Sequence, residues 1–303
     1  MAKGGTGILV GFDGSKESAL ALDWAIATAQ RDGHELILVH SLPVEVNSSF
    51  DPVTEWLPLG PGTAPWLEAD GLAPAVTALG DDRVRVVRVV GPPSAHLVEL
   101  SREAHLVVTG TRGRGALAAG VLGSTAYAVA AHAHCPVVIV RGSQPAGHAL
   151  QSGPDHPVLV GVDDVEHTGA ALDAAADEAV KSGAELRIVR VVHFEPWAWA
   201  YAESKDAEQL YLSALEREAT EILREAQERV QARQVGLNVT TAILRGNQGH
   251  ALADEARDID AGLVVVGSRG RGGFAGLALG SVSHAVIHFM ARPVMVVRSE
   301  VSG

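Results

Sequence analysis

One cysteine, Cys135, stands among 303 residues. A lone thiol excludes an intramolecular disulfide and a multi-cysteine zinc site. Its position just before the apolar run PVVIV reads as a small buried residue rather than a nucleophile. Long apolar runs are missing too. None approaches the ~20 residues needed to cross a bilayer, and MAKGGTGILVGFDGS enters a short strand-like run instead of a signal peptide. We therefore expect a cytoplasmic protein with no membrane partner. There is also no basic excess: 24 Lys and Arg face 36 Asp and Glu, for a formal charge of −12. That balance speaks against a nucleic-acid partner and requires any anionic ligand to be held by local structure.

What the chain does contain is a repeat. ILVGFDGS at 8–15 matches VLVGVDDV at 158–165, and DGHELILV at 32–39 matches SGAELRIV at 182–189, both 150 residues apart. Gly91 pairs with Gly246 at 155, and Pro136 pairs with Pro293 at 157. Length changes of this kind fall in connections, as in a duplicated fold. In each half, short β-branched runs alternate with helical patterns. Strands are expected at 7–12, 35–40, 83–90, 105–110 and 136–141, then at 157–162, 185–192, 237–244, 262–267 and 293–298. Several of these runs are apolar nearly throughout, the mark of a parallel sheet covered on both faces.

Between the first two strands, Leu22, Ala25, Ile26 and Ala29 recur at helical spacing before a terminating Gly33. Residues 204–235 read as a long amphipathic helix, the proline-rich segment 41–66 as a loop or lid, and 142–157 as linker composition. The expected architecture is α/β: two tandem doubly wound five-stranded parallel sheets, spanning 1–143 and 155–303, with a linker at about 144–154.

The most informative repeat is GTRGRGALAAGVLGS at 110–124, which returns as GSRGRGGFAGLALGS at 267–281. Each copy follows a strand and ends at a helix. Gly110 and Gly267 let a ligand approach backbone closely, and Gly123-Ser124 and Gly280-Ser281 open helices whose unpaired N–H groups suit a phosphate. No Asp or Glu occurs between Glu103 and Asp155, or between Asp260 and Glu300. Those windows carry Arg112, Arg114 and Arg141, then Arg269, Arg271, Arg292 and Arg298. Acid-free windows centred on both loops point to an anion site; the alternative is a tight turn with solvated arginines.

The loops are not P-loops, since Gly-x4-Gly-Lys-Ser/Thr is absent. G-x-G-x-x-A is present, but it follows the fourth strand rather than the first and has no acid downstream. The acid lies elsewhere. Asp13 and Asp163 end the first strand of each half, after Gly11 and Gly161. There each can accept from a ribose or base, or cap the following helix; for Asp13 the capping task could fall to Ser15.

Gly-x-x-Gly, nine residues, then Gly-Ser, written in both halves, resembles the signature of ATP-binding universal stress proteins, as do VGFDGS and the closing strands PVVIV and PVMVV. The resemblance spans nearly the whole chain. It implies a Rossmann-like sheet order of 3-2-1-4-5, fifth strands pairing between domains or with a second copy in a homodimer, and ATP at the carboxyl edge, with Mg2+ as its accompanying cation. By position, it assigns the first-strand acid to Asp13 and Asp163, and the backbone contact to adenine to Ser41 and Val191. Phosphate and ribose contacts fall on Gly110, Arg112, Gly113, Gly123, Ser124 and Thr125, and on Gly267, Arg269, Gly270, Gly280, Ser281, Val282 and Ser283.

One departure is Asp163-Asp164-Val165 where the first half has Asp13-Gly14-Ser15. A second carboxylate near a triphosphate weakens binding unless a cation bridges it, so the first site is expected to bind more tightly. A nucleotide-dependent stress sensor with little or no hydrolysis is the leading function. A slow ATPase or phosphotransferase is the alternative, and an adaptor with vestigial sites a third. His284 and His288 form an i, i+4 pair without the acid of a zinc hydrolase motif, and no nucleophile-base arrangement occurs in the loops. Trp197 and Trp199 are expected to pack under the long helix.

Overall fold

In the computed structural model the described residues are 7–42, 55–57, 71–113, 122–141, 151–193, 205–270 and 279–298. They divide into two compact units, Met1–Leu150 and Gln151–Gly303. Arg114, Arg271, Trp197, Trp199 and most of 41–66 lie outside the described residues.

The first unit runs β1 (Gly7–Gly11), α1 (Lys16–Asp32), β2 (Glu35–Leu42), β3 (Glu55–Leu57), α2 (Ala73–Leu79), β4 (Val84–Val90), α3 (Pro93–Leu100), β5 (Ala104–Gly110), α4 (Ser124–His132) and β6 (Val137–Val140). Its strand order is β3-β4-β2-β1-β5-β6. All pairs are parallel except β3 on β4. The proline-rich segment is thus not loop throughout: β2 reaches Leu42, and Glu55–Leu57 adds a sixth, antiparallel strand to the expected five. An edge strand presents unpaired N–H and C=O groups, and β3 uses those of β4.

The second unit runs β7 (Val158–Gly161), α5 (Val165–Ser182), β8 (Leu186–Val192), α6 (Lys205–Arg233), β9 (Val239–Arg245), α7 (Gln248–Asp258), β10 (Leu263–Gly267), α8 (Ser281–Phe289) and β11 (Val294–Val297). Its order, β11-β10-β7-β8-β9, is parallel throughout. In each unit the five parallel strands, counted among themselves, are doubly wound in the order 3-2-1-4-5. Residues 151–157, linker-like in composition, are tied into this unit, with Ser152 Oγ donating to Glu178 Oε1 at 3.0 Å.

Local signals explain the elements. Ser15 caps α1 by accepting from the Ser18 N–H at 3.2 Å, and Gly33 closes it in the left-handed region at φ 78°. Only glycine takes that conformation without a Cβ penalty. The expected stripe of Leu22, Ala25, Ile26 and Ala29 is buried, together with Trp24. Ile8, Val10, Leu36, Leu38, Val107 and Val108 in one sheet, and Val158 to Val160, Ile188 and Leu263 to Val265 in the other, are shielded on both faces. Helix α1 packs with α2, and α3 with α4; in the second unit α5 packs with α6, and α7 with α8.

In both units the winding reverses between two neighbouring strands, β1 and β5 in one and β7 and β10 in the other. Connections leaving neighbouring strands in opposite directions open a crevice at their carboxyl ends.

Cys135 follows α4, and burial pushes its thiol up to about 12. It is therefore neutral when the chain is folded. Treatment with a chromogenic disulfide reagent at about pH 8, where an ordinary cysteine is partly ionised, is expected to modify it far more slowly than in guanidinium-unfolded protein; equal rates would contradict this.

Candidate functional site

The crevice is built alike in both units. Asp13 follows β1 and Gly113 follows β5; an added Cβ on Gly113 would lie 2.5 Å from Asp13 Oδ2. A Cβ on Gly270 would lie 3.0 Å from Asp163 Oδ2. Each carboxylate therefore abuts the glycine loop, closely enough that no larger residue fits without displacing the acid. A Cβ on Gly110 would approach the Glu17 carbonyl at 2.6 Å, and one on Gly123 the Thr111 carbonyl at 3.1 Å. The loop closes on itself through the Gly123 N–H donating to Thr111 O at 2.7 Å, and through the Gly280 N–H donating to Ser268 O at 2.8 Å.

The two helices that follow the loops begin without a side-chain cap, as α2 and α3 also do. Ser15 caps α1, Asp164 caps α5 and Asn247 caps α7 through side chains, whereas α4 and α8 start after Gly123 and Gly280 with no side-chain bond and no acid in the first turn. The N–H groups of the first turn have no intrahelical acceptor. Together with the helix dipole they favour an anion at Ser124 and Thr125, and at Ser281 and Val282. In the first unit, burial and then the neighbouring Arg112 cation push the Arg141 guanidinium below its ordinary value. Two arginines thus crowd one end of the loop.

In the second unit a cavity of about 390 Å³ opens at this edge, a size suited to a small-molecule ligand. Gly161, Asp163 and Val191 line one side. Gly267, Arg269 and Gly270 line the loop side, and Gly280 with Ser281, Val282 and Ser283 line the helix side. All ten second-half residues singled out from sequence thus meet in one space. The sequence reading missed Arg190, Gln248 and Leu252, which line it as well.

Several singled-out residues have local duties. Gly11 makes room for Leu97, which an added Cβ would meet at 3.1 Å. Ser41 Oγ donates to the Gly91 carbonyl. Ser283 Oγ donates to Gly267 O at 2.6 Å, so its single proton fixes the loop rather than serving a phosphate. Arg292, counted with the anion-site arginines, instead meets Asp260 at 2.6 Å, at the amino end of β11 and so away from the loop.

The question of which residue caps has a clear answer. Ser15 caps α1, and Asp13 Oδ1 accepts from the Ser15 N–H at 3.0 Å. Asp164 takes over from Ser15 in the second unit, accepting from His167 N at 2.6 Å and lying 2.9 Å from the His167 ring. An acid at a helix N-terminus is favourable, so Asp164 answers α5 rather than the crevice. The neighbouring Asp163 bonds Arg190, Nη1 to Oδ1, at 3.0 Å. The rings of His284 and His288 lie 4.6 Å apart, tilted by 45°, and no group of three or more His, Cys, Asp or Glu suited to a metal occurs among the described residues.

The model of the universal stress protein family matches residues 6–141 and again 156–298. A universal stress protein of Mycobacterium tuberculosis is 36% identical over 303 residues, covering 96% of this chain and 97% of the relative. One from Mycolicibacterium smegmatis is 34% identical over 307 residues, covering 96% and 97%. Among solved structures, a universal stress protein from Archaeoglobus fulgidus superposes with a TM-score of 0.63 at 21% identity, covering 98% of this chain and 97% of that one.

Capping by Asp164 leads to a stability prediction. Asp164→Ala is expected to cost about 1 kcal/mol, and Asp164→Ser to restore most of it. Urea denaturation followed by circular dichroism measures both; equal losses would show that the carboxylate does something other than cap.

Proposed function

The chain belongs to the universal stress protein family, and from that premise we propose that it is a cytoplasmic, ATP-binding regulator of the stress response with one nucleotide site per domain. The observation that carries this reading is the cavity at the carboxyl edge of the second sheet, where an acid, a loop of glycines and an uncapped helix end face one space. ATP requires those three things. Its ribose hydroxyls and adenine amino group are donors, met by Asp163 and the Val191 carbonyl. Its phosphates are acceptors, met by the N–H groups of Ser281 and Val282, just after Gly280, and by Arg269. In the first domain the corresponding groups are Asp13, the backbone at Ser41, the loop from Gly110 to Gly113, and Gly123 to Thr125, with Arg112 and Arg141 supplying positive charge.

The residues present fit the ligand. Loop glycines let the loop press close to the acid and to its own backbone, and positive charge gathers at the loop of a chain that is acidic overall. Mg2+ would ride on the phosphate oxygens. None of the assigned contacts activates a water, so the domains bind rather than turn over. Regulation then follows from linkage: at about 100 times Kd, a ligand that binds only the folded form adds about 2.7 kcal/mol to the stability of its domain. A partner then reads the occupied state of the domain.

Nucleotide released by acid from freshly purified protein, identified and counted per chain, tests the proposal. We expect ATP at up to two equivalents, with Gly113→Ala and Gly270→Ala each removing one. Absence of bound nucleotide together with no calorimetric ATP binding would refute it. Rapid ATP hydrolysis lost in the double variant would favour the enzyme instead.

A further inference from the structure

We propose that Arg190 sets the ligand preference of the second cavity by competing for the acceptors an adenine nucleoside would use there, so that this site favours the polyphosphate end of its ligand. The inference rests on the nucleotide reading above. Arg190 lies on β8, lines the cavity and is only 13% exposed. Its Nη1 is 3.0 Å from Asp163 Oδ1 and also donates to the Val191 carbonyl at 3.1 Å. These are the two acceptors assigned to the ribose and to adenine. One guanidinium nitrogen therefore imitates both donor groups of a nucleoside.

The first domain is built otherwise. The residue 150 positions earlier is His40, which is buried and bonds the Phe12 carbonyl through Nδ1 at 3.1 Å. Asp13 in turn accepts from the Ser15 backbone. In the second domain a guanidinium instead forms a charge-assisted bond with the acid.

The seat of Arg190 is incomplete. Its Nε is buried without a hydrogen-bond partner, and a buried unmet donor weakens the arrangement that holds it. Arg190 is therefore displaceable, at a cost borne by the nucleoside half of a ligand. The loop and helix half, from Gly267 to Gly270 and Gly280 to Val282, is not contested by Arg190. The charge that meets the nucleoside end of the second site is thus Arg190 rather than Asp164, whose carboxylate serves the helix.

The test uses the full chain carrying Gly113→Ala to silence the first site, titrated calorimetrically with ATP and with inorganic tripolyphosphate. Arg190→His is expected to tighten ATP about tenfold and to leave tripolyphosphate unchanged or weaker. Arg190→Ala serves as a second variant, and retained tripolyphosphate binding reports that the second domain is folded. ATP affinity that is unchanged or reduced in a folded Arg190 variant overturns the inference and spares the nucleotide reading. Failure of the unmodified chain to bind ATP at either site overturns both.

Discussion

An aspartate and a glycine pressed together at the end of two neighbouring strands define each half of this protein. Asp13 reaches Gly113, and Asp163 reaches Gly270, with no room for a Cβ between them. The contact exists only because the first and fourth strands are adjacent while their following helices diverge to opposite faces. The carboxylate then stands at the edge of the crevice, against the glycine loop. Both are held there by sheets whose central strands are shielded from water.

Much of this was legible in the sequence. The strands declared themselves as apolar β-branched runs, and α1 by its spacing, its Ser15 cap and its terminal Gly33. The duplicated loop located the site through its place after the fourth strand. What failed to show did so for physical reasons. Arg292 and Arg298 look like neighbours in an acid-free window, but a strand rises about 3.3 Å per residue, so they flank opposite ends of β11. The short β3 sits inside a proline-rich stretch with no periodicity to betray it. Asp164 read as an intruding charge because two adjacent acids in VGVDD cannot be told apart by composition; the fold gives one to the crevice and one to the helix. Arg190, in RIVRVV, looks like any charge at a strand edge until β8 is laid beside β7.

The two halves therefore share a scaffold and differ in how their acids are engaged. In the first, the aspartate after β1 is steadied by a backbone N–H two residues on. In the second, it is paired with a cation from the neighbouring strand. Histidine at one position and arginine at its counterpart are both compatible with the same order of the five parallel strands. Duplication thus allowed one copy to vary its chemistry while the family's loop was kept in both.

The bare starts of α4 and α8 carry one last consequence. Helices α1, α5 and α7 are finished by a side chain of the chain itself, whereas these two begin after glycine and leave their first-turn donors open. Whatever anion settles there becomes an exchangeable part of the secondary structure, a cap borrowed from solution. The integrity of the final helix in each domain is then a property that the surrounding medium can set.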